Sequence, residues 1–196
     1  INLYLNKEFK RSNLKSYDRV LIATYSNNNF VLSNLGIKNI KINKYQLVEK
    51  IVIKLPKEYR RKSYVVIDGN FVCVDPFLGT KFHLLSDVKL SKIEKKIGKY
   101  PSFKNKNIKY LNKGIIKNIK ISLFKKFIKR SSIYLPFLKD AKYVGSMFVV
   151  RTIQKNKIKT DERTSLVMKH SDKIISILSG KWNNCAYLAK NLLKKF

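Results

Sequence analysis

Between residues 45 and 90 one pattern recurs four times. The runs YQLVEKIVIKL (45–55), KSYVVID (62–68), NFVCVDP (70–76) and TKFHLLSDVKL (80–90) are short and rich in β-branched and aromatic residues. Asp68-Gly69 supplies a tight-hairpin signal between the second and third runs, and Pro76 with Gly79 marks the next turn. Parallel neighbours need a crossover of a dozen or more residues, so runs joined this tightly predict an antiparallel sheet.

The flanks read differently. Residues 1–10 alternate in the manner of a strand (Ile1, Leu3, Leu5), and Asn13 to Tyr17 read as a turn. Val20 to Ala23 form an apolar run short enough for a buried parallel strand. It runs out into Thr24, Tyr25, Ser26 and three asparagines, a loop-forming cluster where open α/β sheets place ligands. Tyr143–Arg151 and Ile174–Leu178 are predicted strands. Ile116, Ile119, Leu123 and Phe127 lie at helical spacing with lysines opposite, and Cys185, Leu188, Ala189, Leu192 and Phe196 give a closing helix one apolar face.

Charge suggests a rival class. Lys and Arg number 43 against 12 Asp and Glu, a net charge of +31, which points toward nucleic acid or an anionic membrane. Only seven of those residues are arginine, however, and Lys, Ile and Asn are over-used together, as in a chain encoded by an AT-rich genome. Nucleic-acid readers favour arginine for bidentate contacts, so the charge reads mainly as compositional and argues against a nucleic-acid partner. The alternative kept open is a basic binding module. Residues 89–130 hold fifteen Lys/Arg and one acid, Glu94. Their amphipathic helix could lie on nucleic acid or on a membrane surface, or simply pack its apolar face onto the sheet. A purely structural sheet with no ligand is the third option. Cys73 and Cys185 are isolated, which disfavours a disulfide scaffold or zinc site and suits a reducing cytoplasm. No apolar run approaches the ~18–20 residues of a membrane-spanning helix. The opening, INLYLNKEFK, has no initiator Met and no signal-peptide pattern, and is read as the interior of a longer protein.

The stretch that most suggests chemistry is SILSGKWNNCAYLAKNLL (176–193). A strand ends at Ser179-Gly180, and Lys181, Trp182, Asn183 and Asn184 lead into the last helix. A helix N-terminus carries unsatisfied N–H groups and a partial positive charge, glycine permits close approach, and lysine adds a full charge. The plainer alternative is a helix capped by Asn183 or Asn184 after a glycine turn. Other candidates weigh less. His83 sits on a strand between Phe82 and Leu84, and His170 in the polar loop KHSDK, read as solvated. Tyr59, Arg60, Arg61 and Tyr64 read as a surface turn, Asp161-Glu162 beside Arg163 as a local ion pair, and Asp68 and Asp75 as turn residues. The sequence shows no Ser-His-Asp set, metal cluster or phosphate loop.

IISILSGKWNNCAYLAKNLL resembles the closing strand–GGK–TT–helix segment of FAD-dependent glycerol-3-phosphate dehydrogenases and the wider D-amino-acid oxidase superfamily. Ser179 replaces the first glycine, and Asn183-Asn184 replace the threonines. YDRVLIATYSNNNF resembles the family's YD-x-V-x-x-A-T strand. RTIQKNKIKTDERTSLV resembles the stretch carrying a substrate-facing arginine, matched here by Arg163, with Thr164 where proline is common. VVIDGNFVCVDPFLGTKFHLL fits the superfamily's substrate-binding sheet, so the resemblance runs through nearly the whole chain.

That resemblance implies an α+β fold: an antiparallel substrate-binding sheet with helices, plus the remaining C-terminal strands and helix of a Rossmann-like FAD-binding domain. It implies a remnant of the FAD-binding domain over 1–30, the substrate domain over 31–160, and a return to the FAD-binding domain over 161–196. It implies FAD as cofactor, contacted by Ala23, Thr24, Tyr25, Ser26, Ser179, Gly180, Lys181, Trp182 and Asn183. Arg163 would hold an anionic small-molecule substrate, with His83 a second catalytic candidate. The family opens with a GxGxxG turn and an acidic residue about 20 residues on, and this chain, with seven glycines, contains no such fingerprint. The expectation is therefore the C-terminal part of an FAD-dependent oxidoreductase, whose missing partner is the segment that holds the ADP moiety.

Overall fold

The structure is a computed structural model that describes residues 2–67, 71–157, 162, 164–181 and 184–194. In chain order its elements are β1 (Val20–Ile22), α1 (Asn28–Asn34), β2 (Asn43–Lys54), β3 (Tyr64–Val66), β4 (Val72–Pro76), β5 (His83–Asp87) and β6 (Lys92–Gly98). There follow α2 (Phe124–Ser131), β7 (Lys142–Gln154), β8 (Leu166–Lys169), β9 (Ile174–Leu178) and α3 (Cys185–Leu193). The class is mixed α+β, with antiparallel pairing dominant and few helices. The chain divides into two compact units. Unit 1 is Ile1–Tyr45, Ile97–Pro101 and Thr152–Phe196, and unit 2 is Gln46–Lys96 and Ser102–Arg151.

Unit 2 is built on the predicted antiparallel strands, with one departure in their order: β2 pairs β5 and not its chain neighbour β3. Its sheet runs β3-β4-β5-β2-β6, with β7 also pairing β2. The pairings Val66↔Val72, Val74↔Leu85, Ile51↔Leu85 and Ile53↔His83 are antiparallel. Directly opposed residues share a face, so Ile51, Ile53, Val72, Val74 and Leu85 converge on one side, all fully buried. Phe127 of α2 and Leu138 cap that face. On α2, Phe127 and Ser131 point inward while Lys125, Lys126 and Lys129 are exposed. The turn after β4 closes as expected: the Phe77 N–H donates to the Phe82 carbonyl, and Gly79 adopts φ 75°. Asp68 and Gly69 lie outside the described residues.

Several expectations change here. The helix read from Ile116 to Phe127 begins only at Phe124. Ile116 instead makes an isolated bridge with Ser146, and Ile119–Ile121 form a single 3-10 turn. Its start is fixed by a buried carboxylate that periodicity cannot show. Glu49 accepts from Ser122 Oγ and Ser146 Oγ, both at 2.6 Å, and from the Leu123 N–H at 3.1 Å. Leu123 and Phe127 pack into the core of unit 2, while Ile119 of the same expected face stays 44% exposed. Arg60 and Arg61 form the expected surface turn, with Arg61 exposed at φ 61°, but the two tyrosines of that cluster turn inward. Tyr59 stacks on Phe137 at 4.3 Å and 11°, Tyr64 meets the same ring at 4.7 Å, and both rings pack against the core.

Unit 1 holds a three-stranded sheet in the order β1-β9-β8. β1 runs parallel to β9 (Val20↔Ile174, Ile22↔Ser176), and β8 pairs β9 antiparallel (Leu166↔Leu178). Helix α1 packs back on both parallel strands through Leu32 and Leu35 against Ile22 and Ile174. The asparagine cluster expected to be a loop is largely helical. Asn28 Oδ1 accepts from the Thr24 N–H and Thr24 Oγ1, folding a 3-10 turn directly into α1. Residues 2–10 form no strand. Alternation alone cannot make one without a partner, and Leu3 and Leu5 stand 79% and 72% exposed. On α3 only Leu188 is fully buried, Leu192 is half-buried, and Cys185 and Ala189 are exposed, so the apolar stripe is narrower than its spacing suggests. Among the described residues, no helix is long and apolar enough to cross a membrane.

Candidate ligand crevice in unit 1

Because β1 and β9 are adjacent and parallel, their carboxyl ends emerge side by side. The loops leaving them are Ala23–Ser26 and Ser179–Lys181, the two segments that carry most of the expected cofactor contacts. A crevice outside the carboxyl ends of parallel strands is the standard ligand position in open α/β sheets. Asn28 ties the two together: its Nδ2 donates to the Ile177 carbonyl at 2.6 Å while its Oδ1 receives both donors of Thr24. The Gly180 N–H donates to Ser165 Oγ at 3.1 Å, anchoring the second loop to the residue just before β8.

The individual candidates separate. Ala23, Thr24 and Tyr25 are exposed, and Ser26 is half-buried. Tyr25 is held at φ 54°, in the left-handed region. That conformation costs a non-glycine residue on the order of 1–2 kcal/mol. The Tyr25 hydroxyl accepts from the Thr152 N–H at 3.2 Å, which helps hold it there. Ser179 and Gly180 are half-buried and Lys181 is exposed. Asn184 occupies the N-cap of α3, yet its side chain makes no capping bond. Arg163, Trp182, Asn183 and Asp161 lie outside the described residues. Glu162 binds Lys157 Nζ at 2.6 Å, and its expected local pairing with Arg163 falls on a residue outside the described ones.

His83 belongs to unit 2. It is 2% exposed on the core face of β5, with neither ring nitrogen hydrogen-bonded. Burial pushes its pKa below the ordinary histidine value, outweighing the upward pull of Asp75.

Sequence reasoning missed the feature beside these loops. Unit 1 contains an open cleft of about 890 Å³, and of the proposed cofactor contacts among the described residues only Tyr25 lines it. Its floor is apolar (Leu32, Ile37, Leu166, Met168, Leu178), and its polar rim includes Asn28, Lys41, Gln154, Lys155, Lys169 and His170. His170 is not simply solvated: it is half-buried, and its Nε2 lies 2.7 Å from the Oγ of fully buried Ser176. Burial, and then the charge of Lys41, lower its pKa. Period-2 and period-3.6 patterns carry no trace of a cleft assembled from four separated segments. The nearest signal was the run of asparagines after β1. Among the described residues, no group of three or more His, Cys, Asp or Glu could hold a metal ion.

No family model matches the chain, and no curated protein matches it. Among solved structures, the chain is similar to glycine oxidase from Geobacillus kaustophilus, with a TM-score of 0.50 and 11% identity. The match covers 85% of this chain and 37% of that one, so the chain spans little more than a third of its structural neighbour. The likeness is one of fold: this chain shares the architecture of part of an oxidase.

Proposed function

We propose that this chain is the C-terminal part of an FAD-dependent oxidoreductase of the D-amino-acid oxidase and glycerol-3-phosphate dehydrogenase type, acting on an amine- or hydroxyl-bearing carbon. One observation carries the reading. The segments that resemble the family's cofactor-contacting motifs, 23–26 and 179–181, leave the adjacent carboxyl ends of two parallel strands. The partial likeness to a glycine oxidase fold supports it from a separate direction.

The residues present suit such a cofactor. The cleft beside the crevice is large, floored by Leu and Met, and has no carboxylate among its described lining residues. A flavin, when bound, supplies the two-electron acceptor. The chain's own residues bind and orient. Lys181 and the first turn of α3 would face the ring's electron-rich edge. Ala23 to Ser26 would form the opposite wall, with Tyr25 held in its strained conformation as part of that wall. Arg163 would grip a carboxylate with both arms of its guanidinium.

In the intact flavoenzyme, Lys181→Ala should weaken flavin retention or shift its reduction potential. Arg163→Lys should raise KM sharply while flavin stays bound, a loss of about 2–5 kcal/mol in substrate binding. Unchanged flavin affinity, spectrum and potential in Lys181→Ala would sink the cofactor assignment.

A further inference from the structure

The rim of the unit 1 cleft is unusual in its charge balance. Among the described residues, Lys41, Lys155, Lys169 and His170 line it, and no Asp or Glu does. The four are not equivalent. Lys169 is paired with Asp172 at 2.8 Å, and Lys41 and Lys155 are both exposed. Lys41 has its backbone carbonyl held by a buried amide, and His170 has its ring held by a buried hydroxyl. Buried Asn29 donates its two Nδ2 hydrogens to the Lys99 and Lys41 carbonyls at 2.6 and 2.8 Å, pinning the backbone that carries Lys41. His170 is held by Ser176 Oγ at its Nε2 and by its own N–H to the Ile174 carbonyl at 2.9 Å. Opposite them lie the aliphatic and thioether side chains of the floor.

We propose that Lys41 and His170 form an anion subsite at the rim of this cleft, and that the cleft takes a ligand combining a flat apolar body with one anionic group. The subsite involves neither Arg163 nor the α3 N-terminus, and it does not require that the ligand be a flavin. Lys41 supplies the charge. His170, neutral at pH 7 because burial and Lys41 oppose its protonation, supplies a directed N–H from Nδ1 when Nε2 accepts from Ser176. The apolar floor removes the ligand body from water, and none of the described lining residues is an Asp or Glu that would repel an anion. An arriving negative charge also reverses the electrostatics at His170, favouring the imidazolium and raising its pKa.

The test uses two fluorescent probes with nearly the same aromatic body, anilinonaphthalenesulfonate with its anionic group and neutral phenylnaphthylamine without it. The sulfonate should bind in one saturable phase, and Lys41→Gln should weaken it about tenfold, roughly 1.4 kcal/mol. Phenylnaphthylamine should bind Lys41→Gln as it binds the parent. Lys89→Gln, which removes a lysine from unit 2, should leave both unchanged, separating the subsite from the overall charge of +31. The His170 imidazole signals should titrate at higher pH with the sulfonate bound and stay put with the neutral probe. Equal affinity for the two probes, equal weakening by the two lysine variants, or an unmoved His170 midpoint would each overturn the proposal. Selective sulfonate binding by a protein that takes up no flavin would refute the flavin reading alone.

Discussion

Asn28 is the side chain on which the crevice depends most, and its removal has a predictable cost. The residue is 5% exposed and joins the loop after β1 to the end of β9 by three hydrogen bonds. Asn28→Ala deletes all three and strands the Ile177 carbonyl and the Thr24 N–H. A typical net hydrogen bond is worth about 1 kcal/mol, and an abandoned buried partner costs about 1–3 kcal/mol. Partial solvation of Thr24 lowers that ceiling, leaving roughly 2–4 kcal/mol. For a chain of this size each kcal/mol moves the melting point by about 2–4 °C, so Tm should fall on the order of 10 °C. Asn28→Asp keeps the acceptor for Thr24 but turns an oxygen toward the Ile177 carbonyl, so it should not recover the loss. Urea unfolding followed by far-UV circular dichroism reads both variants. A loss below about 0.5 kcal/mol for Asn28→Ala, the range of an ordinary surface change, would refute the reasoning that this amide holds the crevice together.

Four further outcomes follow from the packing and titration of the two units. Phe127→Ala should destabilise unit 2 by about 3–5 kcal/mol in urea unfolding, because the ring is fully buried against the sheet. Glu49→Ala should cost about 3–5 kcal/mol and expose α2 to hydrogen exchange, since it orphans Ser122, Ser146 and the Leu123 N–H. Gly145→Ala should destabilise measurably in the same assay, because the added methyl would sit 3.0 Å from the Ile116 carbonyl oxygen and collide with Ile115. His83 and His170 both have folded pKa values lowered by burial. The unfolded chain therefore takes up their protons first, and stability should be full above the ordinary value of 6.5 and decline as pH falls below it. His83→Phe should flatten that decline in a pH series of melting curves.

The strands β3 to β5 were legible because each is short, apolar and bounded by turn residues, so local pattern and tertiary role agree, whereas the placing of β2 beside β5 leaves no local mark. The parallel pairing of Val20–Ile22 was legible from its short apolar run, but the strand is not buried on both faces as expected, since Leu21 is 42% exposed. Residues 2–10 show the limit: alternation marks a face, but only a neighbouring strand makes it a strand. The start of α2 was hidden because a glutamate more than 70 positions earlier, Glu49, sets it through Ser122 and Leu123. The crevice loops could be found from local chemistry at the ends of β1 and β9. The cleft could not, because Asn29, Lys41, Gln154 and His170 are brought together only by the fold. His170 looked solvated for the same reason, its partner Ser176 being inside the next strand.

The account stands or falls on where a flavin meets this chain. An amide chemical-shift titration of the isotopically labelled protein with FAD detects weak as well as tight binding and reports residue by residue. The account predicts that the largest shifts fall on Ala23 to Asn29 and on Ser179 to Asn184, with smaller ones at Lys41 and His170. Shifts spread evenly over lysine-rich segments of both units, or none at the ends of β1 and β9, would contradict it.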